Sequence, residues 1–401
     1  MCKKIFFLSL LPFTIYLPHL DAAELNSPQS HQTIEQADHY LEGYIQALVN
    51  SHYYEFDLSV YVENYDVYLH NLPKNRLIRN SIISFIQEIP EVRSVHPIEK
   101  LPDSHRYQID KRKMGNSIKG IWFPQTTMLY PPMTANPRET IYSATYGQAS
   151  KMPKEWDASK GKQLIMISLG DHFPLFRWRH LFSGYGDLQV DIQAGIWSVF
   201  NMGKEQNTHE FSELLNTDYL VGIPISYALG NWACRLRAYH VSCHLGDEML
   251  SNFARKESQP LSDFRLNPSM EALDYMLSYQ ANDALRLYGG GGWVFHSDRT
   301  LPLAPFYVEY GGEWRFFRYK SLYHRLYSAC FLAGFFRNWQ SNGWSPDINL
   351  MVGYEWSKLQ GVGRKVRLFY AYRDGYGDGQ FFSGTYYGRL RYSGGGLAWG
   401  F

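Results

Sequence analysis

Cysteine is scarce in this 401-residue chain, with four in all. Cys2 precedes the first apolar run and leaves with it if that run is removed. The other three do not make a disulfide framework, since Cys234 and Cys243 lie far apart along one expected strand and on opposite faces of it. An oxidising compartment stays compatible with that pattern. Net charge is lacking too: 39 Lys and Arg against 38 Asp and Glu leave +1, which argues against nucleic acid as a partner. After the N-terminus no apolar run approaches the roughly 18 residues that a spanning helix needs, and the mean hydropathy of -0.35 agrees. A mature chain that enters a membrane must do so as strands.

The first residues do form an apolar run. MCKKIFFLSLLPFTIYLPHLDAAE has basic Lys3 and Lys4, apolar residues from Ile5 to Leu17, and small residues at Ala22 and Ala23. That pattern predicts a secretory signal peptide over 1–23. A small domain is expected over 36–100. Helical spacing of Tyr40, Leu41, Tyr44, Ile45, Leu48 and Val49 predicts a first helix, and Leu77, Ile78, Ile82, Ile83 and Ile86 a second. Strands are expected at 56–62, 65–72 and 92–98, making an α+β module. Its element order, the strand YDVYLHNLP and the ending IPEVRSVHPI resemble the BON module of exported bacterial proteins. The resemblance implies binding to phospholipid surfaces or partners, although a plain spacer would have the same fold. Residues 101–138 are irregular and proline-rich and read as a linker.

From 139 to 401 the pattern has a period of two. Leu188 to Ile196, Phe306 to Phe316, Ile348 to Trp356 and Val366 to Tyr372 each alternate apolar residues with polar or charged ones. Each is close to the length of a tilted membrane strand, with aromatics at its ends, and 16% of the chain is aromatic. Shorter runs at 141–149, 163–170, 218–229, 273–281, 285–296, 325–336 and 388–401, with a strand from Trp232, bring the number to about twelve. Turns at Gly230-Asn231 and Asn282-Asp283 are tight, whereas 201–217, 243–270, 338–346 and 374–386 are long. That alternation predicts an all-β transmembrane antiparallel barrel preceded by the small α+β domain. A soluble sandwich would also alternate, but would not combine aromatic apolar faces with alternating loop lengths. Charges of both signs on the other face, Arg235, Arg237, Asp191, Glu309, Glu313, Arg315 and Glu355, predict a side-chain-filled interior. The ending GGLAWGF, with Leu397, Trp399 and Phe401 on one face, resembles the C-terminal signal read by the outer-membrane barrel assembly machinery.

The stretch WACRLRAYHVSCHLGDE carries the candidate chemistry. Trp232, Cys234, Leu236, Ala238, His240 and Ser242 share the face expected to meet lipid, and Arg235 and Arg237 share the other. Residues two apart on a strand stand side by side, about 7 Å between Cα atoms, so an imidazole and a hydroxyl can meet. A nucleophilic serine needs that base, and the base needs a third group. Glu271 or Asn267, on the next strand, are the candidates. His-x-Ser at the outer end of a barrel strand resembles the outer-membrane phospholipase A and lipid A deacylase families. By that resemblance Ser242 is the nucleophile and His240 the base, membrane lipid is the substrate, and calcium is an expected cofactor with Asp247 and Glu248 as ligands. Those families follow the serine with Asn-Gly, where this chain has Cys243-His244-Leu245-Gly246.

From Phe123 onward the phrases LYPPMTANPRETIYSA, SLGDHFPLFRW, NTDYLVGIPIS, YHVSCHLGDE and RLNPSMEALDYMLS resemble an exported bacterial family known only as a domain of unknown function. The resemblance brings no activity with it. His240 and His244 are more than about 12 Å apart on a strand, too far to share a metal. Gly289 to Gly292 lies within a strand pattern and signals close backbone packing rather than a phosphate loop. The expectation is therefore an outer-membrane lipid-ester hydrolase with its small domain in the periplasm. A non-catalytic structural barrel or narrow channel is the rival, and a homo-oligomer is left open.

Overall fold

The computed structural model describes residues 30–53, 56–100, 120–124, 128–152, 162–181, 186–202, 212–258, 260, 268–299, 302–321, 326–358, 363–376 and 389–401. The expected signal peptide lies outside them.

The N-terminal domain consists of α1 (Ser30–His52), β1 (Ser59–Glu63), β2 (Asp66–His70), α2 (Arg76–Gln87) and β3 (Ser94–Ile98). Leu41, Ile45 and Val49 of α1 meet Ile78, Ile82, Phe85 and Ile86 of α2 in one buried cluster over the sheet. The β1–β2 turn takes Asn64 and Tyr65 through positive φ, the geometry that suits a two-residue hairpin. Asp38 holds it by accepting from both turn amides, at 2.6 and 2.9 Å. β3 then pairs with β2 in parallel, and Asn75 caps α2 by accepting from the Ile78 amide at 3.1 Å.

Twelve antiparallel strands close the barrel: β5 (Tyr142–Lys151), β6 (Gln163–His180), β7 (Gly186–Asn201), β8 (Glu213–Leu229), β9 (Trp232–Leu245), β10 (Ser269–Gln280), β11 (Leu285–Ser297), β12 (Phe306–Ser321), β13 (Leu326–Trp339), β14 (Pro346–Ser357), β15 (Lys365–Gly375) and β16 (Leu390–Gly400). Each pairs with the next, and β16 returns to β5 through Trp399↔Tyr142. A short β4 (Gly120–Trp122) extends the sheet beside the far end of β6. Short connections gather at one end and long ones at the other, as the turn pattern predicts. At the long-loop end α3 (Asp247–Glu257) packs through Met249 and Leu250 onto Leu164, Val199 and Leu215.

The outside of the wall is apolar and aromatic: Ile223, Leu236, Tyr275, Trp293, Val308, Trp314, Val352, Leu368 and Trp399 are all exposed. No helix of the described residues is long and apolar enough to cross a membrane. The inside is polar and closely packed. Arg237 donates to Asp274 through Nε at 2.9 Å. Arg337 donates to Glu309 at 2.8 Å, and Arg315 joins Glu355 at 2.7 Å and Glu313 at 3.0 Å. Two half-buried glycines on the inward face of β11 leave room for this interior: a Cβ at Gly292 would enter the Tyr307 ring, and one at Gly290 would enter the Tyr275 carbonyl.

The proline-rich stretch before β5 connects and also fills. Residues 128–140 lie almost wholly buried inside the barrel. Arg286 donates to the carbonyls of Pro131 and Pro132 at 2.7 and 2.8 Å, and the Thr134 amide donates to Glu313 at 2.8 Å. Arg138 pairs with Asp218 and lies 5.2 Å over the Trp197 ring. Gln193 donates to Thr140 at 2.7 Å. The N-terminal domain docks across the short-turn end. There the Arg76 amide donates to the Gly230 carbonyl at 3.1 Å, Asn80 to Asp283 at 2.9 Å, and Lys320 pairs with Glu88 at 3.3 Å.

Candidate active site on the barrel wall

Strand alternation places the candidate residues. On β9 the odd residues Arg235, Arg237 and Tyr239 are buried in the interior, and the even row Trp232, Leu236, Ala238, His240 stands exposed on the wall. Ser242 continues that row, half-buried, facing Ser269 on β10 and Tyr219 on β8 in register. His240 faces Glu271 across the β9–β10 ladder. Its Nδ1 lies 2.7 Å from Glu271 Oε1. A second histidine reaches the same carboxylate, His296 Nδ1 bonding Glu271 Oε2.

His296 was not legible from alternation. On β11 even positions point inward, yet a bulge pairs Glu271 with His296 and Ala272 with Val294, which turns Phe295 and His296 both outward. No periodic signal in the sequence marks such a slip.

The geometry fixes the ring chemistry. A carboxylate is acceptor only, so the His240–Glu271 bond puts a proton on Nδ1, and in the neutral ring Nε2 is then the acceptor. That is the tautomer a general base requires. No hydrogen bond joins Ser242 to His240 among the described residues. The surrounding wall is apolar and aromatic, with exposed Tyr219, Val221, Trp293 and Phe295. Tyr219 packs edge-on against His244, ring centroids 5.4 Å apart.

Asn267 lies outside the described residues. Asp247 and Glu248 occupy the exposed first turn of α3, beyond the end of β9. The turn is tight because a Cβ on Gly246 would run into the Leu214 carbonyl, which accounts for glycine in SCHLGDE. Calcium takes six to eight oxygens, and no group of three or more His, Cys, Asp or Glu converges to hold a metal among the described residues. His240 and His296 point at separate oxygens of Glu271, not at a common centre.

In sequence, a family profile matches residues 56–401. The chain belongs to the DUF1207 family, proteins of unknown function. No curated protein matches this DUF1207 chain. Among solved structures it is similar to outer membrane phospholipase A from Escherichia coli, with 16% identity over 67% of this chain and 92% of that one, at a TM-score of 0.42. A Salmonella typhi outer membrane phospholipase, a dimer with bound calcium, matches at 16% identity over 67% and 91% of the two chains, TM-score 0.41. LpxR from Salmonella typhimurium matches at 11% over 65% and 100%, TM-score 0.28. These are likenesses of barrel fold.

Proposed function

We propose that this DUF1207 barrel sits in the outer membrane, with its N-terminal domain in the periplasm, and hydrolyses ester bonds of membrane lipids on its outer wall. The observation that carries the reading is the 2.7 Å bond from His240 Nδ1 to Glu271 on the lipid-facing side, with Ser242 two residues along the same face. In this reading Ser242 Oγ attacks the ester carbonyl carbon while His240 Nε2 takes the hydroxyl proton. Glu271 holds the ring and stabilises the imidazolium. The tetrahedral adduct collapses, the alcohol leaves with the proton from His240, and water then releases the fatty acid by the same route. In this reading the Ser242–His240 hydrogen bond forms when substrate binds.

The packed interior weighs against the channel reading, since residues 128–140 and the buried ion pairs occupy the lumen. We further read the outward Leu397, Trp399 and terminal Phe401 as the contact for barrel assembly, and the N-terminal module as BON-like. The direct test is fatty-acid release from mixed phospholipid–detergent micelles. Ser242→Ala is expected to abolish it, and a Ser242→Ala protein that works at the wild-type rate removes the assignment.

A further inference from the structure

The wall has a seam. β5 pairs with β6 only from Gln163 to Ser168, and β4 pairs with it only from Phe176 to Trp178. Between them the backbone of residues 169–174 pairs on one side alone, with β7. The His172 amide turns back to Asp171 Oδ1 at 2.9 Å, and no strand covers the rest of this edge, where unpaired backbone is costly if lipid replaces water.

A crevice of about 620 Å³ opens at this seam. That is the size of a site for one small molecule or chain. Its walls are outward-facing Leu169 and Phe173 of β6, Ile192, Ala194 and Ile196 of β7, and Phe123. At its edge stands Arg364, just before β15. Nη2 is pinned to Asp171 at 2.8 Å, and the guanidinium lies 4.8 Å from the Trp399 ring and 4.6 Å from the Phe401 ring. Its Nη1 is buried and has no hydrogen-bond partner among the described residues. Arg364 stands where β15 begins and β16 ends.

We propose that the crevice binds one glycerophospholipid of the leaflet next to the N-terminal domain. An acyl chain lies along Leu169, Phe173, Ile192 and Ile196, and the phosphate pairs with the guanidinium of Arg364, whose side chain is about a third exposed at the crevice edge. Position on the lipid-facing wall selects a lipid over a soluble ligand. The fixed donor selects a phosphate-bearing lipid over a neutral one, because charge-assisted bonds to arginine are the strong ones. The crevice is separate from the candidate active site. Ala194 of its wall, Val221 and His240 follow one another in register across three strands, so two strand spacings, about 10 Å, separate it from the imidazole.

The test is native mass spectrometry of the full chain in detergent, titrated with phosphatidylethanolamine, with diacylglycerol of the same chains, and with inorganic phosphate. One phosphatidylethanolamine is expected to bind, with diacylglycerol weaker and inorganic phosphate not retained. Arg364→Gln is expected to lower phosphatidylethanolamine affinity by about tenfold, one charge-assisted bond, and to leave diacylglycerol unchanged. Ala194→Trp, which fills the crevice from the exposed face, is expected to lower both. Heat-dependent gel mobility verifies that each variant is a folded barrel. Diacylglycerol binding as tightly as phosphatidylethanolamine, or phosphatidylethanolamine binding that neither substitution changes, overturns the proposal.

Discussion

Removing the carboxylate of Glu271 separates an orienting role from a bystander. In the wall Glu271 accepts from His240 at 2.7 Å and also holds His296. A hydrogen bond to a charged group is worth about 1.5–3 kcal/mol. The His240 and Glu271 side chains are 47% and 32% exposed, so screening keeps the value near the lower end, about 1.5–2 kcal/mol. Converted to rate, Glu271→Ala should cost roughly 10- to 30-fold in kcat/KM. Glu271→Gln keeps an acceptor while losing the charge, and should fall between the wild type and the alanine variant. His296→Ala leaves the His240 bond intact and should stay within about threefold, the range of an exposed pair. The assay is fatty-acid release from mixed micelles as a function of pH. If Ser242→Ala is inactive but Glu271→Ala matches the wild type, Glu271 does not orient the base.

Other expectations concern the interior and the N-terminal domain. Arg286→Ala strips the donors from Pro131, Pro132 and Ser278 and removes a partner of Glu313. It should cost about 3–5 kcal/mol, read as a lower urea midpoint by tryptophan fluorescence, and an unchanged midpoint would contradict the packing described. In planar bilayers the intact protein should show no stepwise conductance; steps of an open pore would mean that residues 128–140 do not occlude it. Asp66, bonded by Arg93 and at 2.5 Å by Ser94, is held at a pKa of about 2, below its ordinary 3.8. A depressed carboxyl stabilises the fold above its ordinary value and loses that contribution as pH falls through about 2. Thermal melting of Asp66→Asn against wild type should therefore differ at pH 6 and converge below pH 2.

Much of the architecture was legible because a barrel imposes a local rule. Side chains alternate between lipid and interior, so Arg235 and Arg237 could be sent inward and Trp232, Leu236 and His240 outward from sequence alone. Twelve strands and the alternation of short and long connections followed from the same periodicity. The expected segment 163–170 stopped short of β6, which runs on to His180. The register slips between Pro174 and Phe176, and interior Arg177 and Arg179 interrupt the apolar run. Proline-rich residues 128–140 carry no periodicity, and their burial is decided by distant acceptors and donors such as Glu313 and Arg286. At the candidate site, the pairing of His240 with Glu271 needs only the strand register, whereas His296 arrives through a bulge. Arg364 and the seam depend on where β4 and β5 stop along β6, a long-range outcome that no local pattern encodes.

The buried stretch has both of its ends at the same rim of the barrel. It leaves β4 beside the end of β6 and rejoins the wall at Tyr142, the start of β5, so it enters the lumen as a loop and does not thread through it. A loop tethered in this way can be withdrawn only toward the side that holds the N-terminal domain.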